Sequence, residues 1–143
     1  MTFAIDANCM IAVVCEWHAD HRAARAEIER RLDRGERMSV AAHALTEAYS
    51  VLTRFPAPHR LACADAWKVL KAGFAESGTV VTLTAAQQLL LLRRLADNGV
   101  GGGRVYDALI GECAAKAGAG VLLTFNPRHF DPAPKGVSVV VPA

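Results

Sequence analysis

Short apolar runs rich in β-branched residues alternate with longer helical stretches along the chain, and this alternation restricts the fold more than any other feature. Five runs predict strands, over Phe3 to Asp6, Met38 to Val40, Thr79 to Leu83, Val121 to Thr124 and Val137 to Val141. The stretches between them predict helices over Ala7 to Glu16, His18 to Arg34, Ala41 to Arg54, Pro58 to Ser77, Ala85 to Asp97 and Arg104 to Ala117. Strands joined by helices pair in parallel through right-handed crossovers. The sequence therefore predicts an α/β fold, a three-layer α/β/α sandwich with a central parallel sheet of about five strands.

Length and composition favour one cytoplasmic domain spanning residues 1–143. Apolar residues make up 52% of the chain and charged residues 21%, which is typical of a globular protein. We expect no membrane association, because no apolar run approaches the roughly 20 residues of a membrane span and the N-terminus lacks the basic segment of a secretory leader. The four cysteines form no CxxC pair and are expected to stay reduced. The net charge of +2 permits nucleic-acid binding without requiring it.

Three carboxylates stand out because they lie beside or within apolar segments. Asp6 ends the first predicted strand, Glu47 is predicted on the inward face of its helix, and Asp107 leads directly into an apolar helical segment. Each also has a structural explanation. Asp6 could cap the next helix, Glu47 could pair with an arginine or histidine at the helix edge, and Asp107 could interact with the helix dipole.

Taken together, the three carboxylates predict a metal site at the carboxyl edge of the sheet. Clustered carboxylates repel one another unless they are protonated or neutralised by a cation. Oxygen ligands suit Mg²⁺ or Mn²⁺, and these ions support phosphodiester hydrolysis by metal-activated water. Zinc is less favoured, because the five histidines form no HxxxH pair. In open parallel sheets the site lies beyond the carboxyl ends of the strands, so we expect Asp6 to lie close to the segment Thr124 to Asn126.

Four segments in order resemble the PIN-domain family, and within it the VapC-type toxin ribonucleases of type II toxin–antitoxin pairs. They are Ile5 to Asn8, Leu45 to Glu47, Gly102 to Ile110 and Leu122 to Phe130. The resemblance spans nearly the whole chain. It implies a Mg²⁺- or Mn²⁺-dependent endoribonuclease that cuts RNA, forms a homodimer and is inhibited by a cognate antitoxin protein.

Carried over residue by residue, the resemblance makes Asp6, Glu47 and Asp107 the catalytic metal ligands. Asn8 and Thr124 would orient these ligands. Asn126 stands where many members carry a fourth acidic residue, which puts a second metal ion in doubt. Together with Asn126, we expect Arg128 and His129 on the substrate side. His129 lies beside the predicted cleft, where it contacts substrate phosphate or caps a short turn.

Alternatives from other classes remain open at the level of sequence. The neutral Asn126 keeps open a PIN-like module that binds RNA or protein without cutting. A phosphoryl-transfer receiver domain is disfavoured, because Asp6 to Asn8 supplies only one acid and Lys116 lies within a helix. The run Leu89 to Leu92, with Leu95, exceeds one apolar stripe. It predicts either a dimer contact or a helix buried within the monomer.

Overall fold

The computed structural model describes residues 1–143 and is built on one parallel sheet of five strands. The strands are β1 (Thr2–Ile5), β2 (Arg37–Ala41), β3 (Thr79–Val81), β4 (Val121–Leu123) and β5 (Ser138–Val140). Their spatial order is β3-β2-β1-β4-β5, and every neighbouring pair is parallel. The first strand in sequence is therefore the central strand of the sheet.

Six α-helices flank the sheet and complete the predicted sandwich. They are α1 (Ala7–Val14), α2 (His21–Asp33), α3 (Ala42–Leu52), α4 (Cys63–Leu70), α5 (Ala85–Asp97) and α6 (Arg104–Lys116). A π-helical turn over Lys71–Ala75 extends α4, and a 3-10 turn over Pro127–Phe130 follows β4. The predicted α/β class and the parallel five-stranded sheet are confirmed.

Two predicted helices begin several residues before the observed ones. The helix predicted from His18 begins only at His21, because the ring of His18 accepts the backbone N–H of Asp20 in a turn. The helix predicted from Pro58 begins at Cys63, after a loop whose Leu61 N–H donates to the carbonyl of Leu52 in α3. In both places a local or tertiary hydrogen bond replaces the first turn of the helix.

The core lies against the central strands. Phe3 and Ile5 of β1 are fully buried, as are Val40 of β2 and Leu122 of β4. Strands of a parallel sheet covered on both faces are expected to be apolar throughout, and β1 follows that rule until Asp6. Asp6 is therefore a buried polar residue placed directly after the central strand, at the carboxyl edge of the sheet.

Helix α5 buries only part of its leucine run. Leu91 and Leu95 are buried, whereas Leu89 is 67% exposed, Leu90 64% and Leu92 45%. Packing within the monomer thus buries one apolar stripe of α5 and leaves a second apolar stripe exposed to solvent. None of the helices is long and apolar enough to cross a membrane.

Candidate active site

Asp6 links the central strand to the first helix. Its backbone N–H donates to the carbonyl of Leu123 at 3.2 Å, so the pairing between β1 and β4 continues to this residue. Its side chain is only 4% exposed and caps α1, with Oδ1 accepting the N–H of Cys9 at 2.8 Å. The capping role considered for Asp6 is therefore real, and it holds the carboxylate at the carboxyl edge of the sheet.

Thr124 contacts the other oxygen of the same carboxylate. Its hydroxyl donates to Asp6 Oδ2 at 2.6 Å and accepts the backbone N–H of Asn126 at 2.9 Å. Thr124 is fully buried directly after β4. The expected meeting of the first and fourth strand ends is thus observed. The hydroxyl fixes one side of Asp6, while the carboxylate oxygens keep further lone pairs for another ligand.

Asp107 lies in the first turn of α6, with its side chain 23% exposed. Its Oδ2 is 3.4 Å from Nδ1 of His129, which belongs to the 3-10 turn after β4. Arg104 ties this turn to the start of α6, because its Nη2 donates to the carbonyls of Arg128 and Asp131 at 3.0 and 3.3 Å. The position of His129 beside Asp107 is therefore supported by a second contact between the two elements.

Glu47 does not occupy the inward face of α3 that the sequence predicted. Ala44 and Ala48 face the core, whereas the side chain of Glu47 is 35% exposed at the edge of the helix. Its Oε1 accepts a hydrogen bond from Nε2 of His43 at 2.6 Å. Successive residues of an α-helix are about 100° apart around the helix axis. Glu47 can therefore lie outside the core although the adjacent Ala48 is buried. The alternative of a Glu–His pair at the helix edge is the arrangement observed.

Asp107 interacts electrostatically with Asp6 and with Glu47. Burial raises the pKa of Asp6, the hydrogen bonds from Thr124 and Cys9 oppose this, and the charge of Asp107 adds to the rise. Burial likewise raises the pKa of Asp107, where His129 opposes the shift and the charge of Glu47 adds to it. Asp107 therefore lies within electrostatic range of both other acids, and His129 and Arg104 act against its repulsion from them.

The side chains do not yet converge on one point. No group of three or more histidine, cysteine, aspartate or glutamate side chains lies close enough together to hold a metal ion. Glu47 is engaged by His43, and Asp107 lies against His129. The donor set still fits a hard divalent cation, because it offers carboxylate oxygens alone and a cation would offset both the burial of these carboxylates, which is the chief cause of their raised pKa, and the smaller repulsion between them.

The remaining predicted residues differ in their placement. Asn8 is exposed, and its side chain donates to none of the three carboxylates, so the expected orienting role is not observed. Asn126 contributes its backbone N–H to Thr124 and leaves its side chain half-buried. Arg128 is exposed and contributes a carbonyl to the contact with Arg104.

One residue at the site was missed from the sequence. Tyr106 stacks on His43 with ring centroids 4.9 Å apart and planes inclined by 8°. The available clue was its position immediately before Asp107, at the exposed start of α6. Its contact with α3 depends on how the two helices pack, which the sequence pattern does not specify.

A cleft of about 850 Å³ borders Asp107 and His129. Its basic lining residues are Arg94, Arg104 and Lys135, and Gly99 and Gly101 supply backbone along one side. A separate apolar groove of about 590 Å³ lies between α3 and α4, lined by Tyr49, Cys63 and Trp67 among others, and shares no residue with the acidic site.

The comparison with known families decides the classification. The profile described as the PIN domain matches residues 3–135. The chain belongs to the PIN-domain family. Among curated PIN relatives, Ribonuclease VapC40 of Mycobacterium tuberculosis is 40% identical over 119 residues, which is 83% of each chain. Ribonuclease VapC27 of the same species is 38% identical over 141 residues, 98% of this chain and 96% of the relative. The PIN domain described here therefore groups with the VapC ribonucleases.

Solved structures confirm the PIN fold. VapC20 of Mycobacterium tuberculosis, described as a Sarcin-Ricin loop cleaving toxin, superposes with a TM-score of 0.68 at 18% identity, covering 94% of this chain and 98% of its own. VapBC2 of Rickettsia felis, solved bound to a DNA fragment from its promoter, gives a TM-score of 0.69 at 14% identity, covering 99% and 98%. At these low sequence identities the comparison shows only that the fold is shared.

Proposed function

We propose that this single PIN domain, residues 1–143, is a metal-dependent endoribonuclease that cleaves RNA phosphodiester bonds. The observation that carries the proposal is the buried Asp6 carboxylate, which Thr124 and the N–H of Cys9 hold at the carboxyl edge of the sheet within electrostatic range of Asp107. Relatives named as ribonucleases, at 38–40% identity over most of the chain, support the same reaction. The cytoplasm is the compartment that suits such an enzyme, since its substrates are made there.

Asp6, Glu47 and Asp107 would hold the metal ion, for which Mg²⁺ or Mn²⁺ suits an all-oxygen donor set. When bound, such an ion supplies positive charge that polarises the phosphodiester and favours deprotonation of the attacking water. The neutral Asn126 supports one ion rather than two. Glu47 would have to exchange its contact with His43, in whole or in part, for this role.

The neighbouring residues have defined tasks in this proposal. Thr124 and the N–H of Cys9 hold Asp6 in one orientation and favour its ionised form. His129, at 3.4 Å from Asp107, is placed to donate to a phosphate oxygen when protonated. Asn126 and Arg128 lie on the same loop and are assigned to the substrate side. Asn8 has no contact that supports the orienting role implied by the resemblance.

The cleft beside Asp107 offers a path for the RNA strand. Arg94, Arg104 and Lys135 line it among the carboxylates of Asp107, Glu112 and Asp131, and Arg94 is paired with Glu112. Arginine and lysine neutralise phosphates and position a strand without reading its sequence. The acidic site would then act on the phosphate that lies nearest to Asp107.

We infer two protein partners. VapBC complexes among the fold neighbours support a separate antitoxin protein, which makes this chain the toxin of a type II pair. The exposed side chains of Leu89, Leu90 and Leu92 support a homodimer through α5. Light scattering at micromolar concentration should give twice the monomer mass of 15.2 kDa, and Leu90→Glu should return the monomer. A monomeric mass for the unchanged protein would reject the dimer.

The function is tested by cleavage of a mixed pool of structured RNAs with Mg²⁺, Mn²⁺ or EDTA. The unchanged protein is compared with Asp6→Asn, which keeps the shape of the side chain and removes its charge. Asp65→Asn is the matched control, since Asp65 is exposed on α4. Cutting that needs metal, survives in the control and disappears in Asp6→Asn supports the proposal.

The absence of cutting by a folded protein would favour a second candidate. The neutral Asn126 and the unconverged carboxylates favour a PIN module that binds RNA without cleaving it. Gel-shift binding of the same RNA pool by the Asp6→Asn variant separates the two candidates.

A further inference from the structure

The stacked pair formed by Tyr106 and His43 has one open face. The two rings are nearly parallel, at 8°, with centroids 4.9 Å apart. Tyr106 is 52% exposed, whereas the side chain of His43 is 26% exposed. His43 therefore covers one side of the tyrosine ring, and the other side is presented to solvent. No hydrogen bond engages the hydroxyl of Tyr106 within the chain.

The pair lies between two of the three acidic residues. His43 donates to Glu47 on α3, and Tyr106 immediately precedes Asp107 on α6. A ligand resting on the open face of Tyr106 would therefore lie beside the acids proposed to act on a phosphodiester. In the arrangement without metal, the hydrogen bond to Glu47 also sets the plane of His43 behind the tyrosine ring.

Other exposed aromatic side chains lack this location. Trp17 stacks on His59 at 4.1 Å and meets Phe55 edge-on, in a cluster that contains no member of the acidic site. Trp67 lines the apolar groove between α3 and α4. Tyr106 is the exposed aromatic residue next to the proposed chemistry.

We propose that Tyr106, supported by His43, is a stacking platform for one unpaired nucleobase of the RNA beside the scissile phosphate. The position beside a scissile phosphate rests on the proposed ribonuclease function, whereas the binding of a base rests on the stacked geometry of Tyr106 and His43. A flat aromatic face can stack with any of the four bases, so it distinguishes unpaired from paired RNA and does not distinguish one sequence from another. A base within a duplex has both faces covered by its neighbours and cannot lie on Tyr106. The platform therefore selects single-stranded or looped RNA.

The size of the effect follows from stacking energies. Stacking of one base on an aromatic side chain accounts for roughly a 5- to 150-fold change in affinity on truncation. Replacing Tyr106 with leucine keeps an apolar side chain and removes the flat face. We therefore expect Tyr106→Leu to weaken binding of single-stranded RNA by a factor in that range. Tyr106→Phe and Tyr106→Trp should retain affinity, because both keep an aromatic ring.

The test measures binding in EDTA, where the proposed metal-dependent cleavage does not occur. The probe is an 11-nucleotide uridine RNA with one central 2-aminopurine, used alone and paired with its complement. Stacking quenches 2-aminopurine fluorescence, so the unchanged protein, Tyr106→Phe and Tyr106→Trp should quench the single strand, and Tyr106→Leu should not. None of them should quench the duplex further. Tyr49→Leu is the matched control, since Tyr49 is exposed on α3 and lines the separate apolar groove.

Equal affinity and equal quenching by the unchanged protein and Tyr106→Leu would overturn the platform. Failure of the unchanged protein to bind the single strand would overturn it as well, and so would loss of binding in Tyr106→Phe. Failure of the proposed function has a different signature: quenching that depends on Tyr106, with no cutting in Mg²⁺ or Mn²⁺. That result would leave a base-binding site on a protein that does not cleave.

Discussion

Replacing Thr124 with valine removes one hydroxyl group from the interior of the site and leaves the size and branching of the side chain almost unchanged. The hydroxyl makes two contacts, donating to Asp6 Oδ2 at 2.6 Å and accepting the N–H of Asn126 at 2.9 Å. Thr124 is fully buried, so water cannot take its place. The substitution therefore leaves a buried carboxylate with one donor fewer and a backbone N–H without its acceptor.

The loss of stability on this substitution can be calculated from these two hydrogen bonds. A hydrogen bond to a charged group is worth about 1.5–3 kcal/mol, and loss of the hydrogen bond from the part-buried N–H of Asn126 costs about 0.5–1.5 kcal/mol. Relaxation and the added methyl group recover part of the sum, so we expect Thr124→Val to lower the free energy of unfolding by about 2–4 kcal/mol at pH 7. For a chain of this size, this corresponds to a fall in the denaturation midpoint of about 6–12 °C.

Thermal and urea denaturation at pH 7 measure the effect, and Thr46→Val provides the control. Thr46 also lies on a site helix, but its hydroxyl is exposed and donates to the carbonyl of Ala42. Its substitution should change stability by no more than about 0.5 kcal/mol. Since the Thr124 hydroxyl lowers the pKa of Asp6 against the effect of burial, the difference between Thr124→Val and the unchanged protein should shrink as acid protonates Asp6.

Cleavage provides a second readout for the same variant. Loss of a contact that orients a ligand typically costs about 10- to 100-fold in activity or metal affinity. A Thr124→Val protein as stable as the Thr46→Val control at pH 7 would refute the argument, because it would show that the buried hydroxyl contributes nothing to holding Asp6.

Three further outcomes are expected. The pKa of Asp107 is raised in the folded state, chiefly by burial. The protonated carboxyl group therefore stabilises the fold at pH values below the pKa of the unfolded state, and this contribution is lost as the pH rises through the pKa of the folded state. Asp107→Asn should therefore raise the denaturation midpoint at pH 7, abolish cleavage, and lose its stability advantage near pH 3.5; a lower midpoint at pH 7 would contradict this. Adding 10 mM Mg²⁺ should raise the midpoint of the unchanged protein by several degrees and that of Asp6→Asn much less, since binding to the folded state stabilises it by mass action; equal shifts would place the ion elsewhere. A thiol reagent should label one cysteine in the native protein, Cys63, and all four after denaturation, because Cys9, Cys15 and Cys113 are buried; rapid native labelling of more than one would contradict the packing of the core.

The three inner strands could be predicted from the sequence because burial leaves a nearly continuous apolar run in each of them, whereas the edge strands β3 and β5 are more exposed and are recognised by their β-branched residues. All five predicted strands are present, although β3 ends at Val81 instead of Leu83. The helix beginnings at His21 and Cys63 could not be predicted, since they depend on hydrogen bonds to a histidine ring and to a carbonyl of another helix. Such contacts leave no periodic pattern in the sequence.

The acidic site was predictable to the extent that strand order determines it. The meeting of Asp6 and Thr124 follows from placing two parallel strand ends side by side. The orientation of Glu47 toward His43, and the stacking of Tyr106 on the same histidine, depend on how α3 lies against α6. Spacing along each helix does not specify that packing, so the sequence singled out three carboxylates as candidates without indicating what their side chains contact.

The central place of β1 also has a consequence for protein synthesis. The first strand made pairs with the fourth, and 118 positions separate Asp6 from the threonine hydroxyl that holds its side chain. A nascent chain that has reached Ala117 contains all three acids, yet it lacks Thr124 and the turn that carries His129. The proposed site is therefore assembled only after the ribosome has passed Thr124 and the turn that carries His129, and a fragment that stops at Ala117 lacks the hydroxyl that orients Asp6.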